Sequence, residues 1–133
     1  MKVVLDTNVF VSSFFGGIPK KIIDLWKSGR IVWCLSSEIL DEYMEVLQRM
    51  GLGGEPEFKE ILGLFSRGIY IVFTHDPPAL DIIEKDPHDN KFFACAVALG
   101  AEAIVSGDKA VIEVNQYMGI RVYTPREFMA LFD

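Results

Sequence analysis

The sequence is short of the residues that build covalent cross-links or soft-metal sites: its 133 residues include two cysteines and two histidines. Cys34 and Cys95 each sit inside an apolar run, where a thiol packs as a small hydrophobe, which argues against a disulfide scaffold. His75 and His88 fall in turn-like segments without paired ligand spacing, which argues against zinc. No apolar stretch approaches the ~20 residues of a membrane span, and no basic leader precedes a hydrophobic block, so a cytoplasmic protein without a membrane anchor is expected. Positive charge is also scarce, with 13 Lys and Arg against 19 Asp and Glu and a net charge of −6. That deficit weighs against a broad basic surface for nucleic acid, although bound divalent cations would reverse the local field. Internal repeats and low-complexity segments are lacking too, so repeat arrays and disordered tails are excluded.

What remains is the composition of a globular protein, 50% hydrophobic and 24% charged, in a length that suits one domain over residues 1–133. Short aliphatic runs at Val3–Leu5, Ile31–Leu35, Ile69–Phe73, Ala103–Ser106 and Ile120–Tyr123 read as five strands. Helical signals lie between them. Pro19 suits a first helical position, Ile22, Ile23 and Trp26 mark one face, and Gly29 supplies a stop. Residues 36–47 carry an apolar stripe at Ile39, Leu40, Tyr43, Met44 and Leu47. Glu55–Arg67 and Lys109–Met118 read as helices ended by Gly68 and Gly119, and Thr124-Pro125-Arg126-Glu127 has the form of a capping box that opens a last helix. Strands alternating with helices require crossover connections, which predicts a three-layer α/β/α fold around a mostly parallel five-stranded sheet.

Open sheets of this kind bind ligands beyond the carboxyl ends of their strands. Two acids stand there. Asp6 follows the first strand and Asp108 the fourth, each also well placed as a helix N-cap. Asp86-Pro87 reads as an N-cap and first helical residue, which puts Asp89 at the third helical position, near the positive end of the helix dipole. Asp89 shares a face with Phe93, Ala96 and Gly100, the side expected to pack on the sheet. Glu42 borders the buried stripe of the 36–47 helix more closely than Glu38, Asp41 or Glu45. Each acid alone has an ordinary structural reading as a cap or a solvated side chain. Gathered in one place, four carboxylates repel strongly unless cations separate them. Oxygen ligands of this kind suit Mg²⁺ or Mn²⁺.

These residues carry a likeness. "VVLDTNVF", "SEILDEYMEVL", "DPHDNKFFACAVALGAEAIVSGD" and "GIRVYTPREF" together resemble the PIN-domain family over nearly the whole chain, and the nearest likeness is to toxin components of toxin–antitoxin pairs. The resemblance implies a PIN-like fold and a Mg²⁺- or Mn²⁺-dependent ribonuclease. It matches Asp6, Glu42, Asp89 and Asp108 with the family's acidic catalytic and metal positions, and Asn8 and Ser106 with the small polar positions beside them. Thr7, Asn8 and Ser106 would then orient carboxylates or waters, while Lys91 and Lys109 would meet RNA phosphates and Lys20 and Lys21 extend that track. Related sequences often carry a further acid two positions beyond Asp108, where this chain has Ala110. A small antitoxin protein and a homodimer are the partners the resemblance implies.

Two other readings compete with a metal-dependent nuclease. A phosphatase of the haloacid dehalogenase type also places Asp after its first strand, but it uses a second acid where this chain has Asn8, an amide that cannot exchange a proton in that way. An inactive PIN-like module that binds RNA or protein would keep the surface without the reaction. A receiver domain fits less well, because Cys34-Leu35-Ser36 and Phe73-Thr74-His75 offer no phosphorylatable acid at a strand tip.

Overall fold

A computed structural model describes residues 1–84 and 86–132. Its centre is a six-stranded sheet in the order β3-β2-β1-β4-β6-β5. The strands are β1 (Lys2–Leu5), β2 (Val32–Ser36), β3 (Ile71–Thr74), β4 (Ala103–Val105), β5 (Gln116–Tyr117) and β6 (Ile120–Tyr123). All neighbouring pairs are parallel except β5 with β6. The helices are α1 (Thr7–Ser12), α2 (Gly17–Lys27), α3 (Ser37–Arg49), α4 (Pro56–Ser66), α5 (Asn90–Leu99), α6 (Lys109–Val114) and α7 (Pro125–Ala130). They complete the three-layer α/β/α arrangement expected from the alternation of strand and helix patterns.

The sheet has six strands rather than five. The sixth arises because α6 stops at Val114, short of the expected Met118, and the chain turns back as β5 against β6. Met118 and Gly119 form the connection with φ of 51° and 82°, the positive values that a tight two-residue hairpin needs. Two residues without an aliphatic run give no strand signal in sequence. Helix α1 also went unmarked, since six residues directly after a strand present less than two helical turns of periodicity.

Side chains on β2 alternate between the two faces of the sheet. Trp33 packs edge-on to Trp26 of α2, with centroids 5.0 Å apart, and lies 5.4 Å from Phe10 of α1. Phe10 in turn stacks on Tyr43 of α3 at 4.4 Å. Cys34, the next residue, points the other way, towards the layer in which α5 covers β1, β2, β3 and β4 and contributes Cys95. Both thiols are buried, and burial pushes each up to about 12, so they are inert filling, as read from the sequence.

The β1 strand lies between β2 and β4, which makes the β1/β4 boundary the place where the chain reverses its direction of winding. The crevice at the carboxyl ends of such a pair is the natural ligand site of an open parallel sheet. Tyr43 ties α3 to this rim. Its buried hydroxyl donates to the Leu5 carbonyl at 2.5 Å, one residue before Asp6, and accepts from Trp33 Nε1 at 3.3 Å. Replacing Tyr43 by Phe removes the donor to Leu5 and leaves the indole N–H buried without an acceptor. The expected loss in urea unfolding is about 1–3 kcal/mol; an unchanged midpoint would show that these bonds contribute nothing net.

Candidate metal centre

The acids predicted at the strand ends reach one cleft. A cavity of about 220 Å³ at the carboxyl rim is lined by Asp6, Thr7, Asn8, Glu42, Val46, Arg49, Asp86, Asp89, Phe92 and Asp108. Asp6 and Asp108 enter from the tips of adjacent strands β1 and β4. Each also caps the helix that follows: Asp6 Oδ1 accepts from the Val9 N–H at 2.8 Å and Asp108 Oδ1 from the Ala110 N–H at 2.8 Å. Capping and cleft placement are therefore compatible, because a carboxylate has a second oxygen to spare.

Ser106 links the two. Its hydroxyl donates to Asp6 Oδ2 and accepts from the Asp108 N–H at 3.0 Å. Asp6 and Ser106 are both buried. Burial pushes the Asp6 carboxyl above its ordinary range, and the Ser106 and Val9 hydrogen bonds pull the other way by stabilising the charge.

All four acids singled out in the sequence, Asp6, Glu42, Asp89 and Asp108, line this cleft, and the tightest group in it also includes Asp86. Carboxylate oxygens of Asp86, Asp89 and Asp108 lie within 4.8 Å of one another. Asp86 was read as a helix cap, yet its side chain makes no capping hydrogen bond. The cause is local: Pro87–Asp89 forms a 3₁₀ turn before α5 begins at Asn90. The Asp89 N–H closes this turn on the Asp86 carbonyl at 3.1 Å, which holds the two residues close together at the cleft. A motif that reads equally well as a cap and as a pair of acids gave no way to foresee this from sequence.

Asp89 carries the sharpest signal. Its Oδ2 is buried and, among the described residues, has no hydrogen-bond partner. Its carboxyl is pushed up to about 7, chiefly by desolvation and next by the charges of Asp108 and Asp86, with Lys91 opposing. An unsatisfied buried carboxylate oxygen facing two more acids is costly as it stands. A hard cation relieves both costs at once, since it replaces the missing donor and offsets the repulsion. The residues present therefore fit a divalent metal.

Glu42 stands slightly apart from this trio. Its Oε2 accepts from Thr7 Oγ1 at 2.5 Å and pairs with Lys91 Nζ at 3.2 Å. Lys91 also donates to the His88 carbonyl at 2.6 Å, and its side chain is only 10% exposed. The ammonium expected to meet RNA phosphates is thus turned inward to hold Glu42. Lys109 points outward, 91% exposed beside Glu113, and Lys20 pairs with Asp24 on the exposed side of α2; neither lines the cleft. Asn8 is exposed at the cleft edge.

Arg49 was not singled out from sequence, yet it reaches the cleft. Glu42, Val46 and Arg49 are spaced by four and seven residues, one face of α3, a register that marks it in retrospect. Behind the 3₁₀ turn, buried Asn90 accepts the N–H groups of Ile82 and Ile83 at 3.0 and 2.8 Å. This anchors the preceding loop and fixes where Asp89 stands.

Comparison with known proteins agrees with this geometry. A family model described as PIN domain matches residues 2–110. The chain is also 36% identical over 147 residues to an uncharacterized protein of Methanocaldococcus jannaschii, an alignment covering 100% of this chain and 92% of that one. With that match spanning both central acid-bearing strands, the chain belongs to the PIN-domain family.

Proposed function

We propose that this PIN-domain protein is an endoribonuclease, folded as a single domain over residues 1–133, that hydrolyses RNA phosphodiester bonds with Mg²⁺ or Mn²⁺. The observation that carries this reading is the Asp86, Asp89 and Asp108 trio together with Asp89 Oδ2, which is buried and, among the described residues, without a hydrogen-bond partner. Those three side chains are assigned as the principal metal ligands. Asp6 and Glu42, on the same cleft wall, complete the acidic site, directly or through water. A bound cation would neutralise charge on the scissile phosphate and acidify the attacking water.

The protein's own groups have distinct tasks in this reading. Ser106 fixes the Asp6 carboxylate and, through the Asp108 N–H, sets the spacing between the two strand-end acids. Thr7 and Lys91 hold Glu42, and Asn8 lies where it contacts waters at the cleft edge. Arg49 at the mouth of the cleft meets the RNA phosphates, with Lys109 further out on the rim. The toxin-type likeness of the sequence supports a role in a toxin–antitoxin pair, with a small antitoxin covering the acidic cleft and a homodimer in the cytoplasm. No helix among the described residues is long and apolar enough to cross a membrane.

Crowded acids give predictions of opposite sign with and without metal. In metal-free buffer Asp89→Asn relieves repulsion and raises Tm. The same variant loses most of the stabilisation that Mn²⁺ gives the wild type, about 3–4 kcal/mol at a hundred- to a thousand-fold excess over Kd, as read by the rise in Tm. A full Mn²⁺ shift in Asp89→Asn would remove it from the ligand set.

The folded-state carboxyl of Asp89 lies near 7, above its unfolded value of about 4. The unfolded chain therefore releases this proton first, and the group's contribution falls as pH rises from about 4 to 7. Metal-free protein should thus lose stability between pH 5 and pH 8, and Asp89→Asn should flatten that slope, as read by urea unfolding; an unaltered slope would place the titration elsewhere.

On a mixed single-stranded RNA pool, the wild type should cleave with Mn²⁺ and not with EDTA. Asp6→Asn should cut about ten- to a hundredfold more slowly, the scale of losing a group that supports a metal site. Undiminished cleavage by Asp6→Asn would contradict the assignment.

A further inference from the structure

A second cavity adjoins the acidic cleft. It measures about 410 Å³ and lies between the loop after β3 and the start of α5, with Glu38, His75, Asp76, His88 and Lys91 among its walls. The two cavities share partitions. On the turn before α5, Asp86 and Asp89 face the cleft while Pro87, His88 and Lys91 face the groove. On α3, Glu38 lines the groove and Glu42, one turn later, lines the cleft. A single-stranded chain whose phosphate rests over the acids therefore has this groove beside it.

The lining selects among occupants. A phosphate is disfavoured, because Glu38 and Asp76 are both acidic and the Lys91 ammonium is committed to Glu42. A metal ion is disfavoured too, since no three ligand atoms of these acids and imidazoles converge among the described residues. A flat heterocycle fits. Pro77, Pro78 and Pro87 offer rigid apolar surface, and the His75 ring is braced edge-on by Phe73 at 4.6 Å between centroids, so it can present a stacking face without first being ordered. The carboxylates accept hydrogen bonds and donate none. Adenine, cytosine and guanine each offer an exocyclic amino group with two N–H donors, where uracil offers only its ring N3–H.

We propose that this groove is a base-recognition subsite that holds one unpaired RNA base bearing an exocyclic amino group, next to the phosphate positioned over the acids. The proposal rests on the ribonuclease reading for its choice of RNA, but its test reads binding rather than cleavage. Fluorescence anisotropy would compare penta-adenosine and penta-uridine ribonucleotides on the Asp6→Asn protein in Mn²⁺. Adenosine is expected to bind roughly tenfold more tightly, the scale of one base stacked and hydrogen-bonded. Adding His75→Ala and Asp76→Ala should reduce that preference to under about twofold, the level expected once the stacking face and one acceptor are gone. Both residues are exposed, and matching melting temperatures would confirm that the variant is folded. Equal affinity for the two oligonucleotides, or a preference that survives the double substitution, would overturn the subsite. No preference on the Asp6→Asn protein, with a wild type that cleaves RNA, condemns the groove alone; a preference on the Asp6→Asn protein, with a wild type that cleaves nothing, condemns the nuclease alone.

Discussion

Repulsion among carboxylates at one point of the sheet is the constraint around which the rest of the structure is arranged. The β1/β4 boundary puts Asp6 and Asp108 on neighbouring strand tips, and the 3₁₀ turn before α5 adds Asp86 and Asp89 from above. Like charges held this close in a half-buried setting are unfavourable by several kcal/mol unless something of opposite sign intervenes. The fold maintains the arrangement with hydrogen bonds that have few alternatives. Ser106 bridges the strand-end acids, Asn90 ties down the loop in front of Asp89, and Tyr43 fixes α3 to the end of β1. Strain kept in place by so many supporting groups belongs to a site rather than to a scaffold.

Charge is balanced differently in the two halves of the cleft. Around Glu42 the protein supplies its own cation, Lys91, together with the Thr7 hydroxyl. Around Asp89 it supplies none that is equivalent: Lys91 only moderates the effect of burial and of two neighbouring acids. On the proposed reading, the asymmetry marks the half that would take an external cation. On the proposed ribonuclease reading it also accounts for how a protein of net charge −6 would engage a polyanion: the local field at the cleft would be set by bound metal, with Arg49 at its mouth, rather than by the overall balance.

Much of this was legible in the sequence, for reasons that differ from element to element. The strands β1, β2, β4 and β6 are dense in β-branched and aliphatic residues because both faces of the sheet are covered, and that density is visible without coordinates. The terminal helix announces itself through the Thr124–Glu127 capping box, which is present as read. Asp6 and Asp108 were found because strand ends are where such folds concentrate chemistry. By contrast, Asp86 was obscured because Asp-Pro is an equally good helix cap, and only the backbone decides for the 3₁₀ turn that turns it towards Asp89. The inward fold of Lys91 and the reach of Arg49 depend on side-chain packing between helices distant in sequence, which no local pattern encodes. The short β5 strand owes its existence to a hairpin with β6 and to nothing in its own composition.

The central claim is that a divalent cation belongs among Asp86, Asp89 and Asp108. The most direct measurement is an anomalous difference map from a crystal of the wild-type protein soaked in Mn²⁺. The account predicts a peak within coordinating distance, about 2.0–2.3 Å, of oxygens from those three side chains, the range expected for a hard octahedral ion. A soaked crystal with no peak there, or with manganese bound only at a site remote from Asp89, would contradict it.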